Sequence, residues 1–311
     1  PDLAPAMLAV PWYGCASRHD LGPLATVPSH VLNVAAVPAS DGARRFGGVA
    51  RLYGEAALAV LARAHVCVVG IGGVGSWTAE ALARSAVGRL TLIDLDHIAE
   101  SNLNRQVHAL DSTLGASKVE AMRARIAGIA PQCRVAAVDD FVTVENVERL
   151  VPPDALVVDA IDAPRAKAAL IALARRRGQA IVVCGAAGGR TDPLRLRRED
   201  LARVRGDALL AAVRARLRRE HGFPREPGRP FRIEALFSDQ PAPRAARDAA
   251  ACDADAPASQ AAASGAPLGC AGYGSLVTVT ATMGLAAASW ALDAALAPAR
   301  RPARSSSMEV Q

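Results

Sequence analysis

Two cations and three amides crowd one short stretch of this chain. Asn102, Asn104, Arg105 and Gln106 come almost without a break, and Lys118 follows twelve residues later. A guanidinium is a planar fork and an ammonium a compact point charge, so together they suit different oxygens of one polyanion. A dinucleotide offers only a pyrophosphate, whereas a nucleoside triphosphate carries charge enough for both. Lys118 and Lys167 are the only lysines among 36 basic residues, and a lysine kept at 118 points to a specific need, with chance as the alternative.

Such side chains need a scaffold, and the sequence just before them supplies one. An apolar, β-branched run at 66–69 ends in Gly70, Gly72, Gly73 and Gly75, and from Ser76 the pattern turns helical. Strand, glycine turn and helix start place free N–H groups where a phosphate can approach closely. A second apolar run at 90–93 ends in Asp94, about twenty residues past the turn, where a Rossmann-type fold puts an acid on a ribose hydroxyl. Asp96 either shapes this pocket or steadies its loop. A lone glycine turn is weak, because tight turns also recruit glycines for packing; the polar run that follows is more selective.

The alternation continues to 185. Strands are expected at 66–69, 90–93, 134–138, 155–158 and 180–183, and helices at 76–86, 116–129, 143–150 and 164–177. This predicts an α/β fold: a doubly wound, Rossmann-like, mainly parallel sheet with helices on both faces and ligands at the strands' carboxyl ends. Asp159 and Asp162 fall where the fourth strand leaves the sheet, beside the expected phosphates. Asp139 and Asp140 end the third strand, where capping a turn is an equal reading.

GIGGVGSW, LIDLDHI, SNLNRQVHAL and GASK resemble the adenylating superfamily of ubiquitin-activating enzymes and sulfur-carrier adenylyltransferases (the ThiF/MoeB type). RFGGVARLYG at 45–54, DDFVT at 139–143, VVDAIDAPRAKAALI at 157–171 and CGAAGGRTDP at 184–193 resemble, within it, the tRNA threonylcarbamoyladenosine dehydratases. The similarity spans 45–236 and 270–292. It implies a cytoplasmic ATP-dependent enzyme that adenylates the carboxylate of threonylcarbamoyladenosine next to the tRNA anticodon and lets the modified base close a ring. It implies a catalytic set of Arg105, Lys118 and Asp162, with Asp162 placing Mg2+ and helix capping as its other reading. It implies ATP contacts from Gly70, Gly72, Gly73, Gly75, Ser76, Asp94, Asp96, Asn102, Asn104, Arg105, Gln106 and Lys118. Arg45 or Arg51 reaches the triphosphate, commonly across a homodimer, or is a solvated helix arginine. Cys270 matches a family cysteine, either a nucleophile or an adjacent thiol. A monovalent cation near the site and a cysteine desulfurase sulfur-relay partner belong to the same expectation.

Composition agrees. A chain of 311 residues with 51% hydrophobic and 4% aromatic content builds its interior from Ala, Val and Leu. A net charge of +6 favours an acidic partner, RNA first. Residues 175–232 hold sixteen arginines against six acids, an excess larger than that of the whole chain. Arg190, Arg195, Arg197, Arg214 and Arg218 are the candidates for tRNA phosphates; a solvated basic face is the alternative. The six cysteines show no C-x-x-C, so neither a disulfide framework nor zinc is expected. Residues 1–40 read as a flexible tail without a signal-peptide pattern, 41–189 as the ATP-binding adenylating core, 190–297 as an Arg-rich segment, crossing loop and C-terminal helix completing that domain, and 298–311 as a disordered tail. The apolar stretch 275–296 is almost long enough to span a bilayer, but its threonines, Gly284 and Asp293 favour a helix buried under the sheet or at a dimer interface; peripheral membrane association stays open.

Three other functions compete. Adenylation of a ubiquitin-like or sulfur-carrier protein lacks its paired C-x-x-C motifs. A noncatalytic tRNA-binding or sulfur-transfer adaptor has no need of Lys118, Arg105 and Asp162. A nicotinamide oxidoreductase has no use for the N-x-N-R-Q run.

Overall fold

The computed structural model describes residues 42–241 and 274–300. Three short apolar runs form the first strands, β1 (His65–Val69), β2 (Arg89–Ile93) and β3 (Arg134–Val138). β4 (Leu156–Asp159), β5 (Ile181–Cys184), β6 (Leu196–Asp200) and β7 (Glu234–Ser238) complete one sheet of order β3-β2-β1-β4-β5-β7-β6. All neighbours are parallel except β6 with β7. Every residue of β1 and β5 is buried, as continuous apolar runs require in a sheet covered on both faces.

The helices are α1 (Gly42–Tyr53), α2 (Glu55–Leu61), α3 (Gly75–Arg84), α4 (Lys118–Ile129), α5 (Val147–Leu150), α6 (Pro164–Arg177), α7 (Ala208–Glu220) and α8 (Val277–Arg300). On one face α6 and α7 bury Leu170, Ile171, Leu210 and Val213 against Val157 and Val183. On the other, α3, α4 and α8 bury Leu82, Met122, Met283 and Trp290 against Val66, Leu90 and Val182. Glu80 on α3 ties the second layer together by pairing with Arg84 at 2.7 Å and Arg125 of α4 at 2.6 Å. Burial works against its charge, yet the two guanidiniums hold the carboxyl below its usual range.

From Val277 on, the apolar stretch at 275–296 forms α8, which by length and composition alone could cross a membrane. Here it crosses α3 at contact distance. A Cβ on Gly284 would sit 2.4 Å from the Val74 carbonyl oxygen, and Thr78 Oγ1 donates to the Gly284 carbonyl at 3.0 Å. Small residues let the two backbones meet, and this seats the start of α8 beside the glycine turn.

The structure departs from the sequence expectation in two places. The helix expected at 143–150 is one turn long, because Thr143 and Asn146 spend their side chains on a local turn. The basic run at 190–200 contains the antiparallel edge strand β6, and β7 fills the gap between it and β5. The stretches 1–41, 242–273 and 301–311 lie outside the described residues, and with them Cys15, Cys252 and Cys270.

Candidate active site

Strand order reverses between β1 and β4, and a cleft of about 700 Å³ opens above their carboxyl ends. That is where an open parallel sheet leaves room for a ligand. Gly70, Gly72 and Gly73 form its floor, with Asp94, Asp96, Asn102, Arg105, Gln106 and Lys118 on one side and Ile161, Asp162 and the 185–188 backbone on the other. Phe141, Ser275 and Thr280 close the rim.

The floor depends on glycine. Gly70 has φ +88°, and a Cβ on Gly75 would lie 1.8 Å from the Gly70 carbonyl oxygen. Asp94 then locks the turn to the second strand: its Oδ2 accepts from Ile71 N at 2.6 Å and its Oδ1 from Asp96 N at 2.9 Å. Burial raises the Asp94 carboxyl above its ordinary value, opposed by Lys118 and by these two N–H groups.

Lys118, the first residue of α4, is nearly buried. Its Nζ pairs with Asp96 Oδ2 at 2.6 Å, while its N–H donates to the Asp96 carbonyl at 3.0 Å. Asp96 itself lines the cleft, and its carboxylate pairs with the Lys118 ammonium there. Arg105 is fixed at both ends. Its Nη1 donates to the Ser101 carbonyl and to Asn104 Oδ1, and Trp77 Nε1 donates to its carbonyl at 3.0 Å. Asn102 Oδ1 accepts from Ala99 N and shapes the loop. Asp162 lines the cleft with no hydrogen-bond or ion-pair partner among the described residues.

Several expected residues stand elsewhere. Ser76 is fully buried, its Oγ accepting from Val107 N at 3.4 Å, so it braces the loop beneath the wall. Asn104 is exposed and donates to the Ser275 carbonyl at 2.9 Å, tying the polar loop to the approach of α8. Arg45 caps the carboxyl end of α4 on the Gly128 and Ile129 carbonyls, and exposed Arg51 is likewise outside the cleft wall of its own chain. Arg190 is buried and donates to the Gly206 carbonyl, which removes it from the surface where RNA could lie. Arg218 lies over the Phe231 ring and donates to the Pro224 carbonyl. Arg195 and Arg197 share Asp239 at 2.7 and 2.8 Å, both half exposed. Arg214 is half-buried, and burial followed by repulsion from Arg218 holds its pKa below the ordinary value. The arginine excess is therefore largely braced by carboxylates and rings.

The described cysteines carry no nucleophile. Burial pushes the Cys67 and Cys184 thiols up to about 12 and Cys133 up to about 11, leaving all three protonated at neutral pH. Sequence reasoning missed Trp77, Phe141 and Thr280, as well as the role of Lys167, whose Nζ meets Asp159 at 2.7 Å in full burial. Its rarity among the cations was the available signal.

The ThiF family pattern matches residues 47–308. The chain is 46% identical to the tRNA threonylcarbamoyladenosine dehydratase of Escherichia coli K12 over 83% of its own length and 96% of that protein. It is 42% identical to the dehydratase of Haemophilus influenzae, over 80% and 92%. The crystal structure of the E. coli enzyme in complex with ATP matches with a TM-score of 0.72 at 42% identity, covering 84% of this chain and 97% of that one. A glycine-floored cleft with Lys118, Arg105 and Asp162 on its walls thus accompanies similarity along nearly the whole of these relatives, and the chain belongs to the ThiF family and, within it, to the tRNA threonylcarbamoyladenosine dehydratases.

Proposed function

We propose that this cleft binds ATP and dehydrates N6-threonylcarbamoyladenosine in tRNA to its cyclic form. The observation that carries the reading is the convergence of Lys118, Arg105 and Asp162 on one glycine-floored cleft, in a chain so similar to the dehydratases. A carboxylate resists attack because its oxygen leaves poorly and its charge repels nucleophiles. When a carboxylate oxygen of the modified nucleoside attacks the α-phosphorus of ATP, pyrophosphate departs and an acyl-adenylate forms. An internal nucleophile of the modified base then closes the ring on the acyl carbon, losing its proton, and AMP leaves with the former carboxylate oxygen. The nucleoside has lost the elements of one water. Ring closure is intramolecular, so proximity supplies much of its rate without an enzyme nucleophile.

In this reading the glycine turn admits the phosphates and Asp94 positions the ribose while holding the turn. Lys118 and Arg105 face the charge that develops on the departing pyrophosphate, and Asn102 and Gln106 line the same wall. Mg2+ fits the donor set: Asp162 is a carboxylate on the cleft with no partner among the described residues, and a hard cation suits such an oxygen. Asp162 would hold a hard cation here, and the cation would neutralise phosphate charge. Exposed Arg197 on the edge strand, with the partly exposed Arg195 just before it and Arg214 on α7, tracks tRNA phosphates. The protein works as a cytoplasmic homodimer, a reading supported by the superfamily resemblance and by the apolar Leu52 and Tyr53 that α1 leaves exposed.

Pyrophosphate release from ATP tests the function. It should require tRNA bearing threonylcarbamoyladenosine and should be absent with the same tRNA lacking the modification. Release driven by a carrier protein instead would overturn it.

A further inference from the structure

Of the two lysines of this chain, Lys118 lines the cleft and Lys167 is fully buried against the ends of β4 and β5. Lys167 stands near the amino end of α6. Its Nζ reaches Asp159 Oδ1 at 2.7 Å, the Cys184 carbonyl at 3.0 Å and the Asp159 carbonyl at 3.4 Å. An ammonium has three protons, and here each meets an acceptor. Asp159 and Cys184 are the last residues of β4 and β5, so one side chain fastens two strand ends to a helix. Asp159 Oδ1 also accepts from Ile161 N at 3.2 Å, immediately before Asp162. Directly beyond the two strand ends lie Ile161 and Asp162, and the 185–188 backbone, the two segments that form the cleft's far side.

Both side chains are fully buried. A buried ion pair is a poor device for stability, since apolar residues of similar volume often do as well or better. What such residues cannot do is join three acceptors from two strand ends at fixed distances. An arginine fork, planar and longer, does not converge on such a cluster either, which accounts for a lysine in so arginine-rich a chain. We propose that Lys167 and Asp159 are positioning residues that hold Asp162 at the spacing a metal-bound triphosphate requires. The inference rests on the reading of Asp162 as the carboxylate that places the metal.

The test is calorimetric binding of ATP with and without Mg2+, taking the ratio of the two affinities for each protein. Asp162→Asn should cut the wild-type ratio about tenfold, and the Asp159→Asn/Lys167→Met double variant should cut it to a similar extent while circular dichroism shows the native fold. If Asp162→Asn loses the metal effect and the double variant keeps it, the proposal is overturned. If Asp162→Asn keeps the wild-type ratio, the metal reading itself fails, and the proposal with it. Should the double variant not fold, Asp159→Asn alone retains the shape and must lower the ratio in the same direction; an unchanged ratio overturns the proposal.

Discussion

His108 sits in the loop that carries Asn102 and Arg105, 2% exposed, with neither ring nitrogen hydrogen-bonded to a described residue. Burial, followed by the positive charges of Lys118 and Arg125, lowers its pKa from 6.5 to about 4. The folded protein therefore keeps the ring neutral while the unfolded chain protonates it near 6.5. Stability from this group is complete above pH 6.5 and falls as the pH drops toward 4, where the folded state also takes the proton. A shift of about 2.5 units corresponds to roughly 3 kcal/mol across the window, of which about 2 kcal/mol is lost by pH 5. His108→Leu removes the titration and breaks no hydrogen bond to a described residue. Urea unfolding at pH 7 and pH 5 should show the variant losing about 2 kcal/mol less than wild type between the two. His65, lowered by burial as well, contributes in the same direction to both proteins and cancels in the comparison. An equal pH dependence in variant and wild type would refute the assigned burial and neutrality of His108.

Other perturbations separate floor, wall and surface. Gly75→Ala drives a Cβ to 1.8 Å from the Gly70 carbonyl oxygen and should cost about 3 kcal/mol or more in thermal unfolding together with ATP binding, whereas Gly72→Ala, whose nearest neighbour is Gln106 Nε2 at 4.0 Å, should leave the melting temperature almost unchanged. Lys118→Met should lower the rate of pyrophosphate release by about 10²-fold, because one preorganised cation facing the leaving group is lost; a loss under threefold would remove Lys118 from the chemistry. Arg197→Gln should weaken tRNA binding and reduce the slope of log affinity against log salt by about 0.7–0.9, and an unchanged slope would mean that Arg197 meets no phosphate.

The sequence carried more of the fold than of the site's wiring. β1, β2 and β3 and the helices α3, α4 and α6 were legible because apolar runs and 3.6-residue periods are local signals that burial on both sheet faces reinforces. β7 was not, being recognisable only from the partner it pairs with, and β6, an edge strand of charged residues, could be read as strand or loop alike. At the site, the glycine turn and the spacing to Asp94 were readable because backbone geometry dictates them. The partners were not: that Asp96 holds Lys118, that Lys167 holds Asp159, and that Asn104 reaches Ser275 across 171 positions are facts of tertiary contact. The basic stretch misled in one respect, because Arg190 and Arg218 are absorbed by burial and by the Phe231 ring, and composition cannot distinguish a braced guanidinium from an exposed one.

The most direct test of the central claim is the mass of the modified nucleoside. Purified protein, ATP, Mg2+ and tRNA bearing threonylcarbamoyladenosine are incubated, and the digested nucleosides are weighed. A nucleoside lighter by one water is expected, formed only when ATP is present and lost in Lys118→Met. An unchanged mass after ATP turnover on the modified tRNA would contradict it.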